Sequence, residues 1–177
     1  WKVDWAMRWF TFDVDFEMYG KDLTESAILS SKVCRALGKI PPNGFAYELF
    51  LDEKGEKISK SKGNGISIEQ WLRYASPESL ALYMYPNPKR AKKLYSDVLP
   101  KTVDEYLSLI EKYPNQKKND QILNPVWHVH KGSPPKENFV MPFSMLLNLV
   151  GSSNAQNKNI LWKFINKFHK NITPKEH

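Results

Sequence analysis

Apolar and polar side chains recur at regular spacing through the first fifty residues, and the spacing predicts helix, strand, helix and strand in turn. The tryptophans of the opening stretch WKVDWAMRW lie four residues apart, which stacks them on one face of a helix over 1–9. Residues 14–18 alternate apolar and acidic side chains, which predicts a half-buried strand that Gly20 ends.

The second helix is predicted over 24–37, and Gly38 is a suitable stop. Its expected inward positions are Ala27, Ile28, Cys34 and Leu37. Alternation over 45–51 predicts the second strand. Strand, helix and strand in this order indicate part of an α/β sheet with a crossover helix.

After the second strand and its loop, the patterns predict helices only. Ser76-Pro77 and Asn87-Pro88 each put a capping residue before a proline, which is a strong helix-start signal. Residues 112–120 are polar and rich in Asn and Lys, which is typical of a linker. The clearest helix is the last one, whose apolar stripe consists of Ile160, Leu161, Phe164, Ile165 and Phe168.

Composition and charge narrow the class of protein. The 177 residues are 41% hydrophobic, which is enough for a folded core, and they carry a net charge of +7. Residues 1–65 hold equal numbers of basic and acidic side chains, so the excess lies in the rest of the chain. A basic surface favours polyanions such as nucleic acid, although a solvated lysine-rich face has the same composition.

Cysteine usage and hydropathy exclude two further classes. The single Cys34 excludes an intramolecular disulfide framework and a cysteine-based zinc site, and it favours a reducing compartment. The best apolar run, 139–150, is interrupted by polar residues and a proline, and it is shorter than the roughly 18 residues of a membrane helix. We therefore expect a soluble protein with no membrane partner. The sequence starts at Trp1, without a methionine, and we expect a piece of a longer protein.

Lysine, serine and glycine are concentrated in the loop 53–65, between a predicted strand and a predicted helix. Lysines supply positive charge, and serines and glycines leave backbone N–H groups free to approach phosphate oxygens. The loop therefore suits a nucleotide triphosphate, although it contains no Walker A pattern. Taken alone, a lysine-rich loop is more often a solvated turn.

The same loop carries a family signature. Lys57-Ile58-Ser59-Lys60-Ser61 matches the KMSKS motif of class I aminoacyl-tRNA synthetases, with Ile at the tolerant second position. Stretches along essentially the whole chain, in the family's order, resemble the class I type of lysyl-tRNA synthetase: WKVDWAMRW, VDFEMYGKD, FAYELFLDEKGEKISKSKGNG, PESLALYMY, VDEYL and NPVWHVHKG.

The resemblance implies a fold class and an activity. The fold would be α/β: the second half of a class I synthetase Rossmann-type catalytic fold, followed by an all-helical tRNA-contacting region. Residues 1–65 would be the C-terminal part of the catalytic domain, and 66–177 the stem-contact part and the start of the anticodon-binding helical domain. The activity would be ATP-dependent formation of lysyl-adenylate and transfer of lysine to tRNA(Lys) in the cytoplasm, with Mg²⁺ accompanying ATP.

Within the loop, the resemblance assigns roles to both lysines and both serines of the motif. Lys60 would hold the triphosphate and stabilise charge as the carboxylate of lysine attacks the α-phosphate, and Lys57 would support it. Ser59 and Ser61 would shape the loop or contact phosphate. This mechanism is largely positioning and electrostatic stabilisation, which fits a loop without a nucleophile or general base.

Three further residues are candidates for the substrate pocket. Trp1 and Tyr47 fall in stretches that resemble the aromatic walls of the family's lysine and adenosine pocket, and core packing is an equal alternative for both. Asp22 belongs to a Lys-Asp pair that resembles a Lys-Asp-His element of the family. Leu23 stands where many members have histidine, so we expect packing there instead of a histidine contact.

Basic and histidine clusters lie further along the chain. The run that would suit phosphate contacts along tRNA consists of Lys89, Arg90, Lys92 and Lys93. A solvated helix face is an equal alternative for this run. His128 and His130 have no third or fourth ligand nearby in sequence, so we expect no zinc, and a structural role or an RNA contact is favoured.

One family signature is missing from the chain. Class I synthetases need an H-x-G-H motif in the first half of the nucleotide fold, and no such pattern occurs here. We therefore expect an internal portion of the enzyme that is inactive, or nearly so, alone. A non-catalytic tRNA-binding module, or one piece of a split synthetase that needs a missing N-terminal half, stays open. Glutamyl-tRNA synthetase shares the fold, but the GKD and WKVDW segments favour the lysyl type.

Overall fold

The structure, a computed structural model, describes residues 1–59, 61–136 and 141–168. The chain forms two compact units. The first unit contains Trp1–Ser67 and Met84–Tyr95, and the second contains Ile68–Tyr83 and the described residues from Ser96 onward. No helix in the described part of the chain is long and apolar enough to cross a bilayer.

The first unit contains two helices and two small parallel sheets. Its elements in chain order are α1 (Lys2–Phe12), β1 (Phe16–Gly20), a 3-10 turn (Lys21–Leu23), α2 (Thr24–Ala36), β2 (Asn43–Tyr47), β3 (Phe50–Leu51) and β4 (Lys92–Lys93). The predicted order of helix, strand, helix and strand is confirmed, with β1 starting two residues later than the alternation indicates. Gly38 adopts a φ of 90°, so it ends α2 in a conformation that suits glycine.

Strands β1 and β2 are parallel, with Met18 opposite Phe45, and α2 connects them. This confirms the predicted crossover. The two strands approach closely because Gly44 has no side chain: a Cβ there would lie 1.9 Å from the carbonyl oxygen of Glu17. Only glycine is compatible with this pairing.

The core of the first unit lies between α1 and α2, and it contains Ala6, Trp9, Ala27 and Cys34. The tryptophans of α1 stack along one face as predicted, with ring centroids 5.6 Å apart for the first pair and 4.9 Å for the second.

Two inward positions predicted for α2 are wrong. Ile28 is 52% exposed and Leu37 is 46% exposed, whereas Ala27 and Cys34 are buried. The buried face of α2 consists of small side chains, which let the backbone of α1 come close enough for the Ser30 hydroxyl to donate to the Lys2 carbonyl at 2.8 Å. This packing turns the two larger residues toward solvent.

Two predictions about the chain after β2 are also wrong. The expected strand over 45–51 is split into β2 and β3, because the amide of Glu48 donates to the carbonyl of Pro88 at 3.0 Å instead of joining the ladder. The region after the sheet is not helical throughout. Asn87-Pro88 does not start a helix: Asn87 has a φ of 50°, and the following residues run into β4, which pairs in parallel with β3.

The described part of the second unit is helical. Its helices are α3 (Ile68–Tyr74), α4 (Pro77–Met84, which ends at the unit boundary), α5 (Val98–Lys112), α6 (Lys118–Leu123), α7 (Pro125–Val129), α8 (Phe143–Ser153) and α9 (Lys158–Phe168). Leu82, Tyr106, Ile110 and Val126 form its buried cluster. The start of α4 at Pro77 and the last helix are confirmed. The predicted linker over 112–120 instead holds a 3-10 turn and the start of α6.

Helix α8 is capped by a side chain from another helix. The carboxylate of Asp104, on α5, accepts hydrogen bonds from the amides of Phe143 and Ser144 at the N-terminus of α8. These two amides have no partner within their own helix, so the carboxylate satisfies them and joins the two helices. On α9, Ile165 is buried, and the side chain of Phe168 lies outside the described residues.

Candidate active site

The lysine-rich loop leaves β3 through a tight turn. The amide of Asp52 donates to the Glu56 carbonyl at 2.8 Å, and the amide of Gly55, at a φ of 87°, donates back to the Asp52 carbonyl at 3.1 Å. The chain then returns beside β3, where the amide of Ile58 donates to Phe50 at 3.1 Å. The first part of the loop, as far as Ile58, is therefore held against the sheet.

The Asp52 carboxylate is buried at the base of this turn, with 7% of the residue exposed. It accepts one hydrogen bond from the Asn64 side-chain amide at 2.7 Å and another from the Glu56 amide at 2.8 Å. These bonds, the one from Asn64 foremost, hold the pKa of Asp52 below its ordinary value. The carboxylate is therefore a charged anchor for the loop.

Asn64 closes the far end of the loop onto its beginning. Its Oδ1 accepts from the Ser59 amide at 3.0 Å, and its Nδ2 also lies 3.3 Å from the Lys57 carbonyl. Next to it, Gly65 packs on Ile58 so closely that a Cβ would lie 2.7 Å from the Ile58 Cδ1. The loop is therefore closed at its base by side chains that are distant from each other in sequence.

The two serines of the loop are brought together. Their hydroxyls are 2.8 Å apart, and the Ser59 carbonyl accepts from the amides of Lys62 and Gly63 at 3.2 Å and 3.0 Å. Two hydroxyls at this separation can both reach the oxygens of one phosphate group. Lys60, assigned the main phosphate contact by resemblance, lies outside the described residues.

The loop is tied by an ion pair to the turn after β1. The ammonium of Lys57 lies 2.7 Å from Oδ2 of Asp22, and both side chains are more than half exposed. This hydrogen bond lowers the pKa of Asp22. The neighbouring Lys21 pairs with Glu48 at 2.8 Å, which raises the pKa of Lys21 and lowers that of Glu48.

Trp1 and Tyr47 meet at one cleft of about 260 Å³, beside the same turn. Trp1 is 65% exposed and stacks on Trp5, and Tyr47 is 42% exposed, so neither ring is packed in the core of this unit. Leu23, where we expected packing instead of a histidine contact, lines the cleft with them. Its remaining lining residues are Asp4, Trp5, Arg8, Glu17, Met18, Tyr19 and Gly20.

The basic run lies elsewhere in the first unit, on β4 and the turn before it. Lys89 lies over the ring of Phe45, 5.9 Å from its centroid. Lys92 donates to the Met84 carbonyl at 3.0 Å, Lys93 donates to the Glu53 carbonyl at 2.8 Å, and burial lowers the pKa of Lys92. Because none of the four is on a helix, the alternative of a solvated helix face is wrong.

His128 and His130, the two described histidines of the second unit, both have hydrogen-bond partners within the protein. Nε2 of His130 lies 2.9 Å from the Tyr106 hydroxyl, and Nε2 of His128 lies 2.9 Å from the Ile122 carbonyl oxygen. This supports the structural role favoured from sequence. Among the described residues, no group of three or more His, Cys, Asp or Glu side chains is placed to hold a metal ion.

Sequence reasoning missed Asp52 and Asn64, the residues that organise the loop. Local signals for both were present, since Asp followed three positions later by Gly is typical of a tight turn and Asn-Gly is a turn dipeptide. Those signals predict a turn at each end of the loop. They do not predict that the two side chains bond each other.

Comparison with known proteins places this sequence in a family. The family model described as tRNA synthetases class I (K) matches residues 1–133. The chain is 52% identical over 174 residues to the lysine–tRNA ligase of Roseobacter denitrificans, covering 98% of this chain and 33% of the relative. It is 53% identical over 176 residues to that of Rickettsia typhi, covering 98% and 34%.

The chain therefore spans about a third of the length of the curated relatives it matches. Its two small parallel sheets and its helices are part of a class I synthetase domain. The matched residues include the whole first unit and its loop. The chain belongs to the class I (K) family of tRNA synthetases.

Proposed function

We propose that this chain is part of a lysine–tRNA ligase, which activates lysine with ATP and transfers it to tRNA(Lys) in the cytoplasm. The observation that carries the proposal is the loop at 57–61, which is closed at its base and brings together two adjacent hydroxyls, while the ammonium of Lys57 pairs with Asp22. It lies in a chain that is about half identical, along 98% of its length, to proteins named lysine–tRNA ligase.

Within that enzyme, residues 1–65 would form the C-terminal part of the Rossmann-type catalytic domain. Residues 66–177 would form the stem-contact region and the start of the anticodon-binding helical domain. The parallel β1–α2–β2 crossover supports the first assignment, and the helices of the second unit support the second, although Met84–Tyr95 belongs to the first unit.

Activation of lysine needs phosphate binding more than acid–base chemistry. The substrate carboxylate, already ionised, attacks the α-phosphorus; the new oxygen–phosphorus bond forms as the bond to the bridging oxygen breaks, and pyrophosphate leaves with the electron pair. Lys57 and Lys60 would hold the triphosphate and stabilise its growing charge, and the hydroxyls of Ser59 and Ser61 would donate to phosphate oxygens.

Magnesium would enter with the nucleotide. Mg²⁺ retains several waters and binds through substrate phosphates with one or two carboxylates, so it does not require a preformed cage. The loop itself offers ammonium and hydroxyl groups, which bind phosphate and do not suit a metal. The described carboxylates likewise form no metal cluster.

The cleft beside the loop would bind the lysine and the adenosine part of ATP. Trp1 and Tyr47 offer ring faces to an adenine or to the methylene chain of lysine. Asp22 would attract a cationic substrate, but its carboxylate is now paired with Lys57. Binding there would therefore accompany release of Lys57 toward the triphosphate.

Contacts with tRNA are proposed for the basic run at β4. Lys89 and Arg90 are exposed and would reach the phosphates of the acceptor strand. Lys92 and Lys93 donate to backbone carbonyls, so they would contribute positive charge to this surface and fewer direct hydrogen bonds to phosphate.

A chimera tests the proposal. This chain replaces the matching third of the Rickettsia typhi lysine–tRNA ligase, and lysine-dependent exchange of pyrophosphate into ATP is measured against the parent enzyme. We expect the chimera to be active and the 177-residue chain alone to be inactive or nearly so. A folded chimera that does not exchange, or that exchanges with glutamate in place of lysine, would contradict the proposal.

A further inference from the structure

The closure of the loop depends on one amide side chain. Asn64 makes three contacts at once: its Nδ2 donates to Asp52 at 2.7 Å and approaches the Lys57 carbonyl at 3.3 Å, and its Oδ1 accepts from the Ser59 amide at 3.0 Å. Asn64 lies twelve positions after Asp52, so these contacts fix the distance between the two ends of the loop.

Asp52 orients this amide. An asparagine can present either its oxygen or its nitrogen to Ser59, and only the oxygen can accept from a backbone amide. The Asp52 carboxylate, whose pKa is lowered and which therefore stays ionised, attracts the Nδ2 and turns the Oδ1 toward Ser59. Its second oxygen is occupied by the Glu56 amide, so the carboxylate is itself held in place.

Asn64 contacts the backbone of Lys57 and of Ser59, whose side chains are proposed to contact phosphate. Ser59 is held on both sides of its peptide, since its amide donates to Asn64 and its carbonyl accepts from Gly63. Its hydroxyl then lies 2.8 Å from that of Ser61. A change of side chain at 64 would thus displace the hydroxyls without touching a ligand.

We propose that Asn64, oriented by Asp52, is a positioning residue that preorganises the loop for a triphosphate. This rests on the proposed function, because phosphate is taken as the ligand of the loop. Asn64 touches no substrate in this role. It fixes the spacing of the groups that do, so that binding requires less ordering of the loop.

The test uses the isolated 177-residue chain and inorganic tripolyphosphate as the probe. Three variants are compared with the wild type: Asn64→Ala, which removes all three contacts; Asn64→Asp, which keeps the acceptor but repels Asp52; and the exchange Asp52→Asn with Asn64→Asp. The exchange restores a donor–acceptor pair with reversed polarity and leaves the net charge unchanged. Asn119→Asp, at an exposed position of the second unit, controls for added charge.

Two quantities are measured by NMR: hydrogen exchange of the Ser59 amide, and the affinity for tripolyphosphate from shifts of the Ser59 and Ser61 amides. We expect hydrogen exchange of the Ser59 amide to become about tenfold faster in Asn64→Ala. The affinity for tripolyphosphate should fall about tenfold in Asn64→Ala and in Asn64→Asp, which matches the loss of such a set of hydrogen bonds. The double variant should bind within about twofold of the wild-type affinity, and Asn119→Asp should bind as the wild type does.

The proposal would be overturned if hydrogen exchange of the Ser59 amide were unchanged in Asn64→Ala, or if it were faster while the affinity for tripolyphosphate stayed the same. It would also be overturned if the double variant did not recover affinity, or if tripolyphosphate did not bind at the wild-type loop. An inactive chimera with the expected NMR results would reject the ligase function and leave the positioning role intact. The two proposals therefore fail separately.

Discussion

The ammonium of Lys57 lies 2.7 Å from the carboxylate of Asp22, which joins the first lysine of the loop to the turn after β1. These residues are 35 positions apart, so the pair exists only because β1 and the loop are brought together by the fold. Both side chains are more than half exposed, and water and salt therefore weaken their attraction.

Replacing Asp22 should loosen the loop without unfolding the protein. In Asp22→Asn we expect limited trypsin digestion to cleave after Lys57 several-fold faster, because the ammonium is no longer held, while the thermal midpoint changes little. Asp4→Asn is the matched control, since it breaks an exposed pair with Arg8 on α1. The difference in cleavage rate between Asp22→Asn and the wild type should shrink at high salt. Equal cleavage rates in Asp22→Asn and Asp4→Asn would contradict the role of the pair.

Replacing Lys60 should impair activation more than substrate binding. In the chimera, Lys60→Ala is expected to lower the rate of lysine-dependent pyrophosphate exchange by roughly 100-fold or more, because the assigned contact strengthens as charge develops on the phosphates. The KM for lysine should change far less. Lys54→Ala, an exposed lysine at the turn, is the control. An unchanged exchange rate in Lys60→Ala would refute the assignment.

Acid should remove the contribution of Asp52 to stability. The hydrogen bond from Asn64 lowers the pKa of Asp52 in the folded state, so the ionised carboxylate favours folding above the ordinary pKa of about 4. As the pH falls below that value and through the lowered pKa, this contribution is lost. The thermal midpoints of the wild type and Asp52→Asn should therefore differ by a constant amount above about pH 5 and converge at lower pH. A difference that grows in acid would show that the sign is wrong.

Two glycine-to-alanine substitutions should have opposite effects. Gly44→Ala would place a Cβ 1.9 Å from a backbone oxygen of β1, and we expect destabilisation by about 3 kcal/mol or more. Gly151→Ala, within α8 and with open space around it, should stabilise by about 0.5–1 kcal/mol. Urea unfolding gives both values, and amide exchange assigns each to sheet or helix. A tolerated Gly44→Ala would mean that the strands do not pair as described.

Part of the site could be predicted from the sequence because its signals are local. The loop at 57–61 is contiguous and its composition alone suits phosphate, so the motif is visible without a fold. Trp1 and Tyr47 could be proposed as partners by resemblance, but their meeting at one cleft depends on the pairing of β1 with β2. The bond between Asp52 and Asn64 joins two ordinary turn residues and has no local signature.

Periodicity and contiguous motifs depend on neighbouring residues, so the order of the first helices and strands, the tryptophan face of α1 and the family are visible in the sequence. Which side chains meet depends on the tertiary fold. Close packing of α1 on the small residues of α2 leaves Ile28 exposed. The pairing of β3 with β4 places 84–95 in the first unit, although we expected a helix there. The fold also closes the loop through Asn64, since hydrogen bonds between distant residues form only after the chain has brought them within reach.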